Sequence, residues 1–122
     1  MKQFSFEKLT VWQKAKQFTL DLYKATHDFP SAEKFGLTSQ IRRASVSVAS
    51  NLAEGSARKS RKDQAHYTHI AYSSLMELVC QLMIARDLGY ISEETFDQLH
   101  EDCQELSRLL NALYDSQFSK SK

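Results

Sequence analysis

An all-α fold, an up-down-up-down four-helix bundle, is what this sequence predicts, on three observations. Three Gly and one Pro in 122 residues leave few breakpoints, so the elements are long. Ala, Leu, Gln, Lys and Glu are abundant and favour helices. Apolar residues recur at spacings of three and four through four segments joined by short connectors, the pattern of antiparallel helices sharing one core. The length suits one domain (residues 1–122) with a core of its own. With 42% hydrophobic and 25% charged residues, the composition is that of a folded globular chain.

The first helix is expected at residues 8–25, where Val11, Ala15, Phe18, Leu22 and Ala25 form one stripe flanked by Trp12 and Tyr23. Phe29-Pro30 ends that segment, because the residue before a proline is pushed out of helical dihedrals. Residues 31–36 read as a connector. The second helix, 38–54, has Thr38 as its expected N-cap and Gly55 as its expected left-handed C-cap. Ser45-Val46-Ser47-Val48 alternates like a strand, but only for four residues. The helical stripe Leu37, Ile41, Ala44, Val48 and Leu52 lasts four turns and decides for helix. Ser45, Ala49, Ser50 and Ala53 are small and let another helix approach closely.

The third helix, 62–88, carries Tyr67, Ala71, Ser74, Leu78, Leu82 and Ala85 on one stripe, widened by Leu75, Val79 and Met83, and Gly89 stops it. The fourth, 92–118, opens with Ser92 as N-cap and Glu93-Glu94 in the first turn, where acidic residues complement the helix dipole. Phe96, Leu99, Cys103, Leu106, Leu110 and Leu113 make its heptad seam. The last four residues, SKSK, are expected to fray. At 1.5 Å per residue the longest helices span about 40 Å.

Net charge is only +1, but it is unevenly placed. Residues 1–62 carry 12 Lys and Arg against 5 Asp and Glu, a balance of +7, while residues 63–122 carry 4 against 10, a balance of −6. Such asymmetry points either to a basic surface for a polyanion or to complementary surfaces that meet within or between subunits. The basic candidates are Arg42 and Arg43, then Arg58, Lys59, Arg61 and Lys62 at the junction of the second and third helices, with Lys14 and Lys16 on the first. Neighbours on a helix diverge by about 100°, so one of Arg42 and Arg43 belongs to packing or a contact and the other to solvent or ligand. Asn51 is expected to bridge backbone groups of a neighbouring helix, and Glu54 to pair with Arg42, Arg43 or Arg58. No motif for reading base edges is present, so only backbone or shape recognition fits.

Other chemistries lack their residues. His66 and His69 lie three apart with Asp63 a turn away, but bundle metal centres recruit Glu-x-x-His motifs from facing helices, and none occurs here. No Gly-rich phosphate loop or nucleophile elbow is present. Cys80 and Cys103 have no neighbouring base in sequence and read as buried small hydrophobes. The chain is expected to be non-enzymatic, with no metal and no cofactor. It has neither an 18-residue apolar stretch nor a signal-like start, so no membrane contact and a cytoplasmic location are expected.

LTVWQKA at 9–15, FPSAEKFGLTSQIRRASVSVASNLAEGSAR at 29–58 and LGYIS at 88–92 carry a resemblance. The chain resembles the bacterial four-helix bundle family encoded by intervening sequences of 23S ribosomal RNA genes, collinearly over residues 6–92, with the fourth helix matching in pattern only. Ser73, in AYSSLMEL, stands where the family is expected to have Gly, which would loosen a close helix contact. The resemblance implies a homopentameric ring, and kinship with accessory proteins of diversity-generating retroelements, which work beside a reverse transcriptase and nucleic acid. It implies no settled activity. Two functions follow as expectations: an oligomeric module binding RNA or DNA backbone through its basic surface, or an interaction scaffold whose charges serve self-assembly.

Overall fold

The computed structural model describes residues 2–120, and among them there are four long helices and no strand: α1 (Thr10–Ala25), α2 (Leu37–Ser56), α3 (Arg61–Asp87) and α4 (Glu93–Lys120). Two short 3-10 turns, Ser5–Lys8 and Ser31–Glu33, precede α1 and α2. Each helix packs on its neighbours in sequence, and α4 closes back on α1 across the smallest of the four faces. The diagonal pairs, α1 with α3 and α2 with α4, make no close backbone approach. Cross-helix pairs fix the antiparallel register. Thr19 Oγ1 donates to the Ser45 carbonyl (3.2 Å), Ser47 and Ser74 share a hydroxyl bond (2.9 Å), and Thr68 Oγ1 meets Gln117 Oε1 at 2.6 Å.

The stripes read from the sequence become the core. Leu22, Ile41, Leu75, Leu78, Leu82, Leu106 and Leu110 are almost wholly buried, and Phe18, Val48, Leu52, Leu99 and Cys103 join them. On α3 the stripe is rotated from the expected one: Ala65 and Thr68 are buried, Tyr67, Ser74 and Val79 lie at its edge, and Met83 is exposed. Cys80 is exposed too, against the expectation of burial. Ser73 faces solvent, so its side chain loosens no helix contact.

Helix ends differ from expectation where tertiary contacts decide them. Lys8 belongs to the 3-10 turn, because Leu9 is extended and Phe6 packs edge-on against Trp12 (4.8 Å). α1 stops four residues before Phe29, where Thr26 Oγ1 folds back onto the Leu22 carbonyl (2.8 Å). Phe29 is buried against Tyr90 (5.4 Å). Thr38 is not the N-cap of α2. It sits inside the first turn, and the Glu33 carboxylate caps the helix by accepting the Leu37 N–H (3.1 Å) while Tyr90 Oη donates to its other oxygen (3.0 Å). That acceptor, together with burial and the Glu33 charge, pushes the Tyr90 phenol up.

Gly55 is not a left-handed cap either. The helix runs through it to Ser56, and the last carbonyls are met by Ala57 and Arg58 N–H groups and by Ser56 Oγ. Two ends, at Gly89 and Ser92, follow the sequence reading, and a third is capped by Ser60, which that reading did not single out. Gly89 has φ +80°, and the Gly89 and Tyr90 N–H groups bond the Arg86 and Ala85 carbonyls in a Schellman closure. Ser92 Oγ accepts the Thr95 N–H, opening α4. Ser60 Oγ does the same for Asp63, opening α3. The expected fraying is not seen at Ser119 and Lys120, which are still helical, and residues 121–122 lie outside the described residues.

Candidate nucleic-acid interface

The antiparallel order brings the start of α1, the end of α2, the start of α3 and the end of α4 to one end of the bundle. Four residues connect α2 to α3 there, and this turn with the first residues of α3 carries Arg58, Lys59, Arg61 and Lys62, all exposed. Arg58 is held. Its Nη2 donates to Glu54 Oε1 (3.0 Å) and to the Tyr67 hydroxyl, and its guanidinium lies 4.5 Å from the Tyr67 ring centre. Gln64 Nε2 donates to the Arg58 carbonyl (2.9 Å), closing the turn. Lys59, Arg61 and Lys62 have no ion-pair or hydrogen-bond partner for their side chains among the described residues. Of the pairings open to Glu54, the one with Arg58 is formed, at modest energetic value for so exposed a pair.

Arg42 and Arg43 do not join this cluster. They lie 16 and 15 residues from Arg58 along the α2 register, about 22–24 Å at the helical rise. The doublet splits as its angular spacing requires. Arg42 is half-buried against α1, with Nε donating to Thr26 Oγ1 (3.0 Å), Nη2 to the Tyr23 carbonyl (3.3 Å) and its guanidinium 4.5 Å from the Tyr23 ring centre. Arg43 is exposed. It lines a groove of about 680 Å³ between α1 and α2, with Tyr23, Lys34, Phe35, Thr38 and Ser47 among the other walls. Phe35 is 90% exposed, and Thr38 Oγ1 is buried without a hydrogen-bond partner. Lys34, Phe35 and Tyr67 were missed from sequence. A large aromatic beside a glycine in a six-residue connector was the available signal for Phe35.

The remaining candidates have local roles. Lys14 bridges to Glu105 of α4 (3.4 Å), and Lys16 lies 5.4 Å over the Trp12 ring. Asn51 does not reach a neighbouring helix. Its Nδ2 donates to the Ser47 carbonyl (2.8 Å) and Ser47 Oγ (3.0 Å), and Ser47 then makes the link to α3 through Ser74. His66 and His69 are exposed, and no grouping of metal-ligating side chains occurs among the described residues. Burial pushes the Cys103 thiol up to about 12, with the Asp102 charge adding to it.

The groove between α1 and α4 is acidic, lined by Asp21, Glu94, Asp97, Glu101 and Asp102. Burial pushes the Asp102 carboxyl up, the neighbouring Asp21, Glu105 and Glu101 charges add to this, and the Gln98 hydrogen bond opposes it. No helix among the described residues is long and apolar enough to cross a membrane.

A square of four antiparallel helices, cationic at one end and acidic along one groove, defines a small helical-bundle protein with separated charges. Its family is equally plain: the model of the 23S rRNA-intervening sequence protein family matches residues 7–112, and the chain belongs to that family. The match reaches through most of α4, beyond the residues whose motifs are legible by eye. A solved structure from Bacteroides thetaiotaomicron VPI-5482, a protein of unknown function from the S23 ribosomal protein family, is similar in fold. It is 24% identical, with a TM-score of 0.77, covering 86% of this chain and 98% of that one. No curated protein matches the chain.

Proposed function

We propose that this chain is a non-enzymatic, oligomeric bundle protein that holds RNA or DNA by its phosphate backbone. The observation that carries this reading is the α2–α3 turn, where four basic residues fall within five positions and three have no partner among the described residues. Like charges gathered at one end repel one another and are not selected by folding. Phosphates relieve that repulsion and release counterions as they bind. The turn is short and capped at Ser60, so its cations are presented from a fixed frame. Cysteines free of any disulfide suit a reducing cytoplasm.

The test is a salt titration with a 20-base-pair duplex, followed by fluorescence anisotropy. Three neutralised phosphates give a slope of about −2.7 in log affinity against log salt. The K59E/R61E/K62E variant is expected to lose most of the affinity and the slope. A wild-type protein that does not bind at about 50 mM salt, or binds with no slope, ends this reading.

The acidic α1–α4 groove favours a second reading, a scaffold that assembles with copies of itself, with a homopentameric ring as the form its family resemblance implies. In a ring of head-to-tail contacts, each basic surface meets a neighbour's acidic one. Sedimentation of the wild type in low and high salt tests it.

A further inference from the structure

We infer that the groove between α1 and α2 is a seat for single-stranded nucleic acid, with bases stacked on Phe35 and Tyr23 and phosphates held by Lys34 and Arg43. This rests on the nucleic-acid reading above and assigns the single strand its own site, about 24 Å from the α2–α3 turn.

Single-strand sites combine a cationic track with aromatic faces on which successive bases stack. The groove has both. Phe35 is 90% exposed in the connector before α2, where its ring buries almost nothing and contributes correspondingly little to folding. Tyr23 is exposed beside it on α1, and Lys34 lies 5.4 Å from the Phe35 ring centre. Arg42 is already ordered against Tyr23 by its bonds to Thr26 and the Tyr23 carbonyl, so this wall of the groove is set before any ligand arrives. Arg43 adds a second, exposed cation. Thr38 lines the same groove, and its hydroxyl is buried without a hydrogen-bond partner.

The aromatics decide which polyanion fits. A duplex keeps its base faces stacked on one another and offers phosphates alone, so Phe35 would gain nothing from it. An acidic peptide uses the cations but leaves the exposed rings without a role. Unstacked bases use both.

The test compares a labelled 12-nucleotide oligothymidylate with the 20-base-pair duplex, using the whole chain and the F35A and R43A variants. Phe35 is so exposed that F35A is expected to fold normally. F35A should weaken the oligothymidylate by about 5- to 100-fold with an unchanged salt slope, and leave the duplex within two-fold. R43A should lower the single-strand slope by about 0.7, one phosphate's share. K59E/R61E/K62E should do the reverse of F35A, losing the duplex and keeping the single strand.

Wild-type binding to the duplex but not to oligothymidylate overturns the inference and leaves the turn reading standing. Oligothymidylate affinity unaffected by F35A also overturns it. So does an F35A variant that loses both ligands equally and sediments as a smaller species, which would make Phe35 a contact between copies. A polyglutamate peptide bound as tightly as the oligothymidylate, and equally weakened by F35A, would assign the groove to an acidic protein instead.

Discussion

Gly55→Ala tests whether α2 and α3 are as close as the basic turn requires. Two effects of opposite sign compete. Replacing a helical glycine by alanine gains up to about 1 kcal/mol from backbone entropy, and less at Gly55, one residue from the end of α2. At Gly55, however, an added methyl would sit 2.8 Å from Tyr67 Cβ, 3.5 Å from the Gln64 carbonyl oxygen and 3.7 Å from Tyr67 Cγ. Carbon pairs are comfortable at about 3.5–4.0 Å, so the first contact is short by roughly 1 Å. Tyr67 Cβ is attached to the α3 backbone and cannot swing aside, so relief means moving one helix off the other. Overpacking of this kind costs about 1–3 kcal/mol.

The overpacking outweighs the entropy gain, and a net loss of about 1 kcal/mol is expected. Thermal unfolding followed by circular dichroism should show it as a fall of about 4 °C for a domain of this size. Gly55→Ser should fall further, because its hydroxyl meets the same wall. The displacement also reaches the basic turn, since Tyr67 holds Arg58 there. A variant that melts several degrees above the wild type would refute the reasoning, because entropy would then be unopposed and the close approach absent.

Four further outcomes are expected. Leu106→Ala, at a side chain only 2% exposed, should cost about 2–5 kcal/mol in denaturant unfolding, and an unchanged midpoint would mean α4 packs differently. Arg42→Ala should cost about 1–2 kcal/mol through its lost bonds and ring contact, while Arg43→Ala stays within about 0.5; equal midpoints would show that Arg42 does not pack. A thiol reagent added to the native protein should modify Cys80 and spare Cys103 until denaturant is added, since Cys103 is buried and its thiol stays protonated. Asp102→Asn should raise the melting temperature at pH 7. The folded state raises this carboxyl's pKa, so its ionised form opposes folding, and the gain should shrink as the pH falls through the carboxylate range and Asp102 takes up its proton. A gain that persists at low pH would assign the effect to something other than charge.

The helices were legible because each stripe repeats over four or more turns, long enough to outweigh a four-residue alternation such as Ser45 to Val48. Their ends were less legible, because distant groups decide them. The α2 cap is the Glu33 carboxylate, fixed in turn by Tyr90, 57 residues away in sequence. Gly55 looked like a stop because glycine is common there, yet its use is to admit Tyr67. Cys80 and Met83 looked buried because apolar side chains in a helix normally face the core; on α3 they spill onto the outer surface. The basic residues were legible as types and not as a site. Nearness in sequence joined Arg43 to Arg58, and a straight helix parts them by about 22 Å. Phe35 left no periodic trace, since a connector has no face.

The separation of charge has a consequence that the near-neutral total conceals. Arg43, Lys59, Arg61 and Lys62 lie on α2, the following turn and the start of α3, while Glu94, Asp97, Glu101 and Asp102 lie on α4. α2 and α4 are diagonal with no close backbone approach, and none of these cations is paired with one of these acids among the described residues. Lys14 with Glu105 is the bridge that joins α1 to α4 among the described residues, and it is exposed. The unpaired charge is therefore available to another molecule. If copies of the chain take it up, the basic and acidic surfaces are consumed together, and a polyanion must compete with assembly. If a nucleic acid takes it up, the acidic groove stays open and orients the strand by repulsion. Adding oligonucleotide during sedimentation separates these cases: a polyanion that dissolves the assembly competes for the same cations, and one that travels with the intact assembly binds cations that assembly leaves open.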